Sequence, residues 1–310
     1  MLGLVLVPLL LVVASCGGGG SAKDPTTAHS LAEKIRVSGA FGSKPAITIA
    51  TPLKVPETDS WTQTKGTGDP VGAQAKTILQ LTLADARTGK TSVSTFDAGQ
   101  KPLEVRLGDQ LFPRLLQALS GQRAGTRLVV AATSEDAYGN GGAPQIGIKA
   151  GDPVVMVADI LSTDPTSLLD GPSGATRAAP ATAPRLLGSA ATPTGFDVTG
   201  LRKPKKLQVY TLREGTGPAI DGPHRVSVDY IGQVWGATQP FNDSYPKEPV
   251  TFTFGLSGVI PAWDKALAGA REGSRVMLVS PPSSAYGATA QPDIPAGSTL
   301  IFVLDVLGVG

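Results

Sequence analysis

Two stretches of the chain decide the fold, VIPAWDKALAGAREGSR at residues 259–275 and LFPRLLQALSGQRAGTR at residues 111–127. They align without a gap, and the same register continues to the Ala-Tyr-Gly triplets that begin at Ala285 and Ala137. The offset between the aligned residues is 148, as from Leu111 to Val259. This is far longer than the period of a solenoid repeat, roughly 20 to 50 residues. The repeat therefore predicts two tandem copies of one domain.

The segments that flank the copies differ from them in composition. Residues 163–192 are dense in Pro, Ala, Thr, Ser and Gly and show no apolar periodicity, which predicts a linker that buries no core. Residues 16–38 begin with a run of glycines after Cys16 and predict a flexible tether. The N-terminal copy is therefore predicted at 39–162 and the C-terminal copy at 193–310.

The pattern within the C-terminal copy is that of an α+β fold. Apolar and polar residues alternate over 226–230, which is typical of a half-buried strand. Further strands, separated by Gly and Pro turns, are predicted at 207–212, 250–254, 275–279 and 299–307. One short helix is predicted from Pro261, because Trp263, Ala266 and Leu267 share a face at helical spacing. Each copy is thus predicted as a mostly antiparallel sheet, of about five or six strands, wrapped on one short helix, and a doubly wound sheet is excluded.

Composition excludes several classes of function. Charged residues make up 17% of the 310-residue chain and the net charge is +2, so no nucleic-acid partner is predicted. The dense basic cluster at 202–206 is interpreted as a solvent-exposed segment that leads into a strand. Two histidines and one cysteine exclude a Cys/His zinc cage and an intrachain disulfide. A hydrolase is excluded because neither His29 nor His224 accompanies a Gly-x-Ser-x-Gly motif.

The N-terminus resembles a bacterial lipoprotein signal. Residues 2–14 form an apolar run of about 13 residues, which is too short to span a bilayer and suits the core of a secretory signal. The run ends in Val13-Ala14-Ser15-Cys16, so residues 1–15 would be removed and Cys16 would be lipidated. This predicts a protein anchored by its lipid to the extracytoplasmic face of the bacterial cytoplasmic membrane. The alternative is an ordinary signal peptide that contains a cysteine.

Seven short motifs of the C-terminal copy follow one another in an order that resembles the FKBP-type peptidyl-prolyl isomerases. They are Tyr230-Ile231-Gly232, Phe241-Asn242-Asp243-Ser244, Phe254-Gly255, 259–263, Ala285-Tyr286-Gly287, Ile294-Pro295 and Leu300-Ile301-Phe302. The resemblance covers nearly all of the C-terminal copy and reaches the N-terminal copy, less closely, through the repeat. It implies an isomerase that uses no cofactor and acts on proline-containing polypeptides.

The implied reaction explains why an apolar site can be catalytic. Rotation about an X–Pro bond breaks amide resonance, with a barrier of about 18–20 kcal/mol. The carbonyl dipole is smaller in the twisted amide than in the planar one, so a dry apolar pocket favours the twisted form. Such catalysis requires no nucleophile and no metal ion.

The resemblance assigns roles in this pocket to individual side chains. Trp263 would form the floor beneath the proline ring. Three further rings would form the walls: Tyr230, Phe241 and Phe302. Val259 and Ile260 would line the base, with the backbone N–H of Ile260 donating to the substrate. Tyr286 would donate its hydroxyl to the substrate backbone, and Ile294 would close the rim.

One position departs from the family pattern, which places an acid directly after the phenylalanine. Here Asn242 follows Phe241, and Asp243 comes one place later. Strand alternation puts the amide of Asn242 in the pocket, whereas the shortened loop before Phe252 could present Asp243 instead. We expect Asp243 to belong to the catalytic set and Asn242 to bind substrate.

The N-terminal copy departs from the family pattern at other positions, because it keeps the acid but lacks several of the aromatic rings. It keeps Phe96-Asp97 and Tyr138, but Leu115 takes the place of the floor tryptophan. Leu81 and Met156 likewise take the places of the tyrosine and phenylalanine walls. We therefore predict that this copy is weakly active or inactive and serves as a polypeptide-binding arm or a spacer.

Together these features predict an isomerase that assists the folding of exported proteins, mainly through the C-terminal copy. The alternative is a non-catalytic, membrane-tethered chaperone that binds polypeptides in the same grooves. The resemblance also implies that the macrocyclic inhibitors of the family are candidate ligands.

Overall fold

The computed structural model describes residues 31–310 and contains two large sheets of the same design. The predicted signal peptide at 1–15, Cys16 and the tether up to residue 30 lie outside the described residues. All strand pairings within 31–310 are antiparallel. No helix in this part of the chain is both long and apolar enough to cross a bilayer.

The first half of the described chain holds eight strands and two short α-helices. In chain order they are β1 Ile35–Ser38, β2 Ala46–Ile49, β3 Asp59–Thr64, β4 Thr77–Asp85, β5 Thr91–Ser94, β6 Leu103–Val105, α1 Pro113–Leu119, β7 Arg127–Ala132, α2 Ser134–Tyr138 and β8 Val154–Thr163. Strands β3, β7, β8, β4 and β5 lie side by side in that order, and β6 also pairs with β4. Two 3₁₀ turns, Gly139–Gly141 and Pro144–Ile146, precede β8.

The second half repeats this arrangement. Its elements are β9 Ala175–Thr176, β10 Arg185–Gly188, β11 Pro193–Asp197, β12 Gln208–Glu214, β13 Arg225–Val234, β14 Asn242–Asp243, β15 Val250–Thr253, α3 Pro261–Leu267, β16 Arg275–Ser280, the 3₁₀ turn Pro282–Ser284 and β17 Leu300–Val309. The sheet runs β12, β16, β17, β13, β14, with β15 also paired with β13 and β9 added outside β12. The five strands and one helix predicted for the C-terminal copy are all present, and the predicted α+β fold is confirmed there.

Each sheet packs one face on a helix whose first residue is a proline. Proline suits this position because its fixed φ is helical and its missing N–H would have no partner within the helix. Helix α3 buries Ala262, Trp263, Ala266 and Leu267 against β16 and β17, and α1 buries leucines in the equivalent place. The core of each copy therefore lies between sheet and helix.

The opposite face of each sheet is covered by a hairpin whose first strand comes from a segment predicted to be unstructured. The hairpin β1–β2 brings Ile35 and Ile49 onto the N-terminal sheet, and β10–β11 brings Phe196 onto the C-terminal one. The predicted tether is therefore wrong over residues 31–38, and the predicted linker at 163–192 is wrong where it forms β9 and β10. A few apolar side chains suffice here, because each sheet offers them an apolar face that only the folded chain creates.

Candidate active site

Four aromatic rings, Tyr230, Phe241, Trp263 and Phe302, form an aromatic cup at one edge of the C-terminal sheet. Strand β13 carries Tyr230, β17 carries Phe302 and helix α3 carries Trp263, while Phe241 directly precedes β14. The Trp263 ring lies 5.1 Å from that of Tyr230 and 5.5 Å from that of Phe302, and Phe241 lies 5.7 Å from Phe302. The pairs meet edge to face at interplanar angles of 71° to 87°. Such contacts fix the rings more firmly than apolar burial alone.

The cup depends on a residue without a side chain. Gly232 lies directly across from Phe302 in the pairing of β13 with β17. A Cβ atom at this position would stand 2.6 Å from Phe241 and 2.8 Å from Phe302, inside van der Waals contact. Glycine is therefore required for these two rings to meet.

The rings enclose an open cavity of about 260 Å³. Besides the four rings, its lining consists of Asn242, Val250, Gly258, Val259, Ile260 and Tyr286. Tyr286 is 38% exposed, which places its side chain at the rim rather than in the core. The predicted residues Val259, Ile260 and Tyr286 thus meet the aromatic cup in one cavity.

The electrostatics of the cavity suit an apolar ligand. Burial raises the pKa of Tyr230, and nearby Tyr286 and Asp243 add to the rise, so the phenol stays neutral. The indole Nε1 of Trp263 is buried and has no hydrogen-bond partner among the described residues. No acidic or basic side chain lines the cavity. This arrangement can bind an apolar ring and a neutral backbone, and it offers no nucleophile.

Asp243 does not lie where we expected it. Asp243 pairs with Ile231, which faces the hairpin side of the sheet, whereas Asn242 pairs with Gly232 on the cup side. The carboxylate of Asp243 accepts a hydrogen bond of 2.9 Å from the backbone N–H of Tyr245. The register of β13 with β14 therefore puts Asn242 in the cavity lining, and the expectation that Asp243 is presented to the pocket is wrong.

Ile294 also differs from its predicted place at the rim. Its side chain is only 5% exposed and belongs to the core beneath the sheet, outside the lining of the cavity. Its backbone N–H and C=O both bond to Gln291, which closes a tight turn and turns the side chain inward. Val250, by contrast, lines the cavity without having been predicted. Its signal was present, because Val250 and Phe252 share one face of the alternating strand β15.

The equivalent place in the N-terminal copy is packed solid. Strand register matches Leu81 with Tyr230, Leu83 with Gly232 and Met156 with Phe302. These three side chains and Leu115 are each 2% exposed or less. The aliphatic side chains therefore continue the core through the space that the aromatic cup holds open.

The N-terminal copy keeps two polar residues of the family pattern, Asp97 and Tyr138, but their surroundings differ from those of a ligand-binding site. Asp97 forms an ion pair with Lys44. The hydroxyl of Tyr138 is buried without a hydrogen-bond partner among the described residues, and burial raises its pKa to about 12. In the C-terminal copy the equivalent hydroxyl belongs to the exposed Tyr286.

Comparison with known proteins agrees with the location of the cup. The model of the family described as FKBP-type peptidyl-prolyl cis-trans isomerase matches residues 218–307. An FK506-binding protein of Streptomyces anulatus is 34% identical over 116 residues, which are 36% of this chain and 94% of the relative. The isomerase FkpA of Escherichia coli K12 is 39% identical over 103 residues, but these are only 37% of its own length and 33% of this chain.

Among solved structures, the three FKBP domains of wheat FKBP73 align with 82% of this chain and 94% of the wheat chain. The identity is 17% and the TM-score 0.34, too low to equate the two overall arrangements. The match to the Streptomyces protein is different, because it covers nearly all of that relative. The prediction of an isomerase of this type is thereby confirmed, and the chain belongs to the family of FKBP-type peptidyl-prolyl cis-trans isomerases.

Proposed function

We propose that the C-terminal copy isomerises X–Pro bonds by holding the proline ring on Trp263 inside the aromatic cup. The observation that carries this proposal is the set of four rings packed edge to face around an open, uncharged cavity. The N-terminal copy, with leucine at the floor position, has no comparable role in the chemistry.

The cup would act by stabilising the twisted amide relative to the planar one. A planar amide loses more solvation than a twisted amide when both leave water for an apolar cavity, so burial lowers the barrier between them. Ile260 and Tyr286, both in the cavity lining, are suited to hold the substrate backbone. Each factor of ten in rate needs only about 1.4 kcal/mol of such differential stabilisation.

The lipoprotein-like N-terminal sequence supports a proposed cellular setting for this enzyme. A lipid on Cys16 would hold the enzyme at the extracytoplasmic face of the membrane, where exported polypeptides fold. Cys16→Ser should release the protein into the medium or leave it unprocessed. Unchanged membrane fractionation of this variant would contradict the anchor while leaving the isomerase proposal intact.

The isomerase proposal is tested on the full chain with a prolyl peptide in a protease-coupled assay. Trp263→Leu introduces the residue that the N-terminal copy has at this position, and we expect kcat/KM to fall about tenfold or more. Trp61→Leu is the matched control, because Trp61 packs on the hairpin side of the N-terminal sheet, away from the cup. Circular dichroism and thermal unfolding check that both variants fold. An equal kcat/KM in a folded Trp263→Leu variant would overturn the proposal.

A further inference from the structure

We infer that the groove between the two copies extends the substrate site and takes an acidic segment of the polypeptide whose proline occupies the aromatic cup. The inference rests on the proposed function, because it concerns residues that flank the bound proline. We call this cavity the inter-copy groove. The N-terminal copy contributes Lys76, Lys101 and Glu104 to its walls, and the C-terminal copy contributes Arg225, Thr253 and Gly258.

The inter-copy groove is large and adjoins the aromatic cup. Its volume is about 450 Å³. Gly258 lines both the groove and the cavity of the cup. Phe252 lines the groove and also contacts Trp263, the two rings being 5.6 Å apart. A polypeptide leaving the cup past Gly258 therefore enters the groove within a few residues, each spanning about 3.5 Å when extended.

Bonds between the copies hold the walls of the groove in place. Arg225 is only 4% exposed, and its Nε donates to Asp164, directly after β8, over 2.6 Å. Its backbone N–H donates to the hydroxyl of Ser162 over 2.7 Å, and that hydroxyl donates to the C=O of Gly310 over 2.8 Å. The hydroxyl of Thr253 donates to Glu104 across the groove. A groove fixed in this way needs little ordering before a ligand binds.

The charges that face the groove favour an acidic occupant. Lys76 pairs with Glu104 over 2.6 Å, and Asp164 balances Arg225. Burial pushes the pKa of Glu104 upward, but hydrogen bonds from Lys76 and Thr253 outweigh it and keep the pKa below its ordinary value. Lys101 has no ion-pair partner within residues 31–310. One positive charge therefore remains uncompensated on a wall of the groove, where a client carboxylate can reach it.

The test uses the full chain and a series of peptides that share one X–Pro bond. Each carries a pair of glutamates or, as the neutral reference, a pair of glutamines, placed two, four or six residues before or after the proline. We expect the glutamate pair to raise kcat/KM about threefold, on one side of the proline and at one spacing. Lys101→Glu should abolish that gain, bringing kcat/KM for the glutamate peptide down to that for the matching glutamine peptide. Lys90→Glu, the same charge change on an exposed turn of the N-terminal copy, should leave the gain intact.

Three outcomes separate the groove from the cup. Equal turnover of glutamate and glutamine peptides by the active wild type would overturn the groove and leave the isomerase standing. A gain at every spacing that survives Lys101→Glu would also overturn it, because long-range attraction to the whole protein predicts that pattern. Failure of the wild type to turn over the glutamine peptides would overturn the proposed isomerase itself.

Discussion

The two copies share a strand order, yet one holds a cavity open where the other is solid. In the C-terminal copy, Gly232 leaves room for Phe241 and Phe302 to meet beside Trp263. In the N-terminal copy, Leu83 and Leu115 fill the same positions and are almost fully buried. The difference teaches that the fold does not need the cup. Aliphatic side chains also fill this part of the core, and at these positions it is the flat rings around Gly232 that leave space for a ligand.

The largest expected effect comes from replacing Gly232 of the C-terminal copy with leucine, the residue that the N-terminal copy has at the equivalent position 83. In Gly232→Leu, the new side chain must occupy space taken by Phe241 and Phe302, so we expect kcat/KM to fall about a hundredfold. The protease-coupled assay measures the loss. The reciprocal control, Leu83→Ala, leaves a cavity in the N-terminal core and should cost about 2–5 kcal/mol of unfolding free energy by denaturant titration. It should leave kcat/KM within about twofold, and a matching loss of activity there would show that the N-terminal copy takes part in turnover.

Much of this difference could be predicted from the sequence, because the aligned positions carry aromatic side chains in the C-terminal copy and aliphatic side chains in the N-terminal copy. Trp263, Tyr230 and Phe302 were predicted together, and the structure brings them together. The hairpins β1–β2 and β10–β11 could not be predicted in the same way. Strands β1 and β2 alternate apolar and polar residues over only four positions each, and β10–β11 shows no clear alternation. Both hairpins become stable only on the sheet face that the distant strands build.

The two tyrosines of the Ala-Tyr-Gly triplets sharpen the comparison. Tyr286 is exposed at the rim of the cavity, so Tyr286→Phe removes the proposed donor to the substrate backbone and should lower kcat/KM about three- to tenfold. Tyr138→Phe removes a buried hydroxyl that lacks a partner in the described chain. It should leave kcat/KM unchanged and hold or raise the thermal midpoint. Equal effects of the two substitutions on activity would contradict the assignment of one working site.

Tyr138 also predicts how stability responds to alkaline pH. Burial raises its pKa in the folded protein to about 12, above the value of about 10 for an unfolded tyrosine. The folded state then binds more protons between these values, so the free energy of unfolding falls as the pH rises from about 10 toward 12. Denaturant titrations across this range should show a shallower fall in Tyr138→Phe than in the wild type. Identical slopes would mean that the hydroxyl reaches solvent in the folded protein.

The smallest expected effects concern Asn242 and Asp243. The register of β13 with β14 places Asn242 on the cup side, whereas we had expected Asp243 there. Asn242 lines the cavity, so Asn242→Ala should lower kcat/KM about two- to fivefold through lost substrate contact. Asp243→Asn keeps the shape of a side chain that faces away from the cup and still accepts from Tyr245, so kcat/KM should stay within about twofold. Peptide assays on both variants compare the two faces of β14 directly. A larger loss in Asp243→Asn than in Asn242→Ala would mean that β14 shifts by one residue when substrate binds, since a slip of one residue exchanges the faces of a strand.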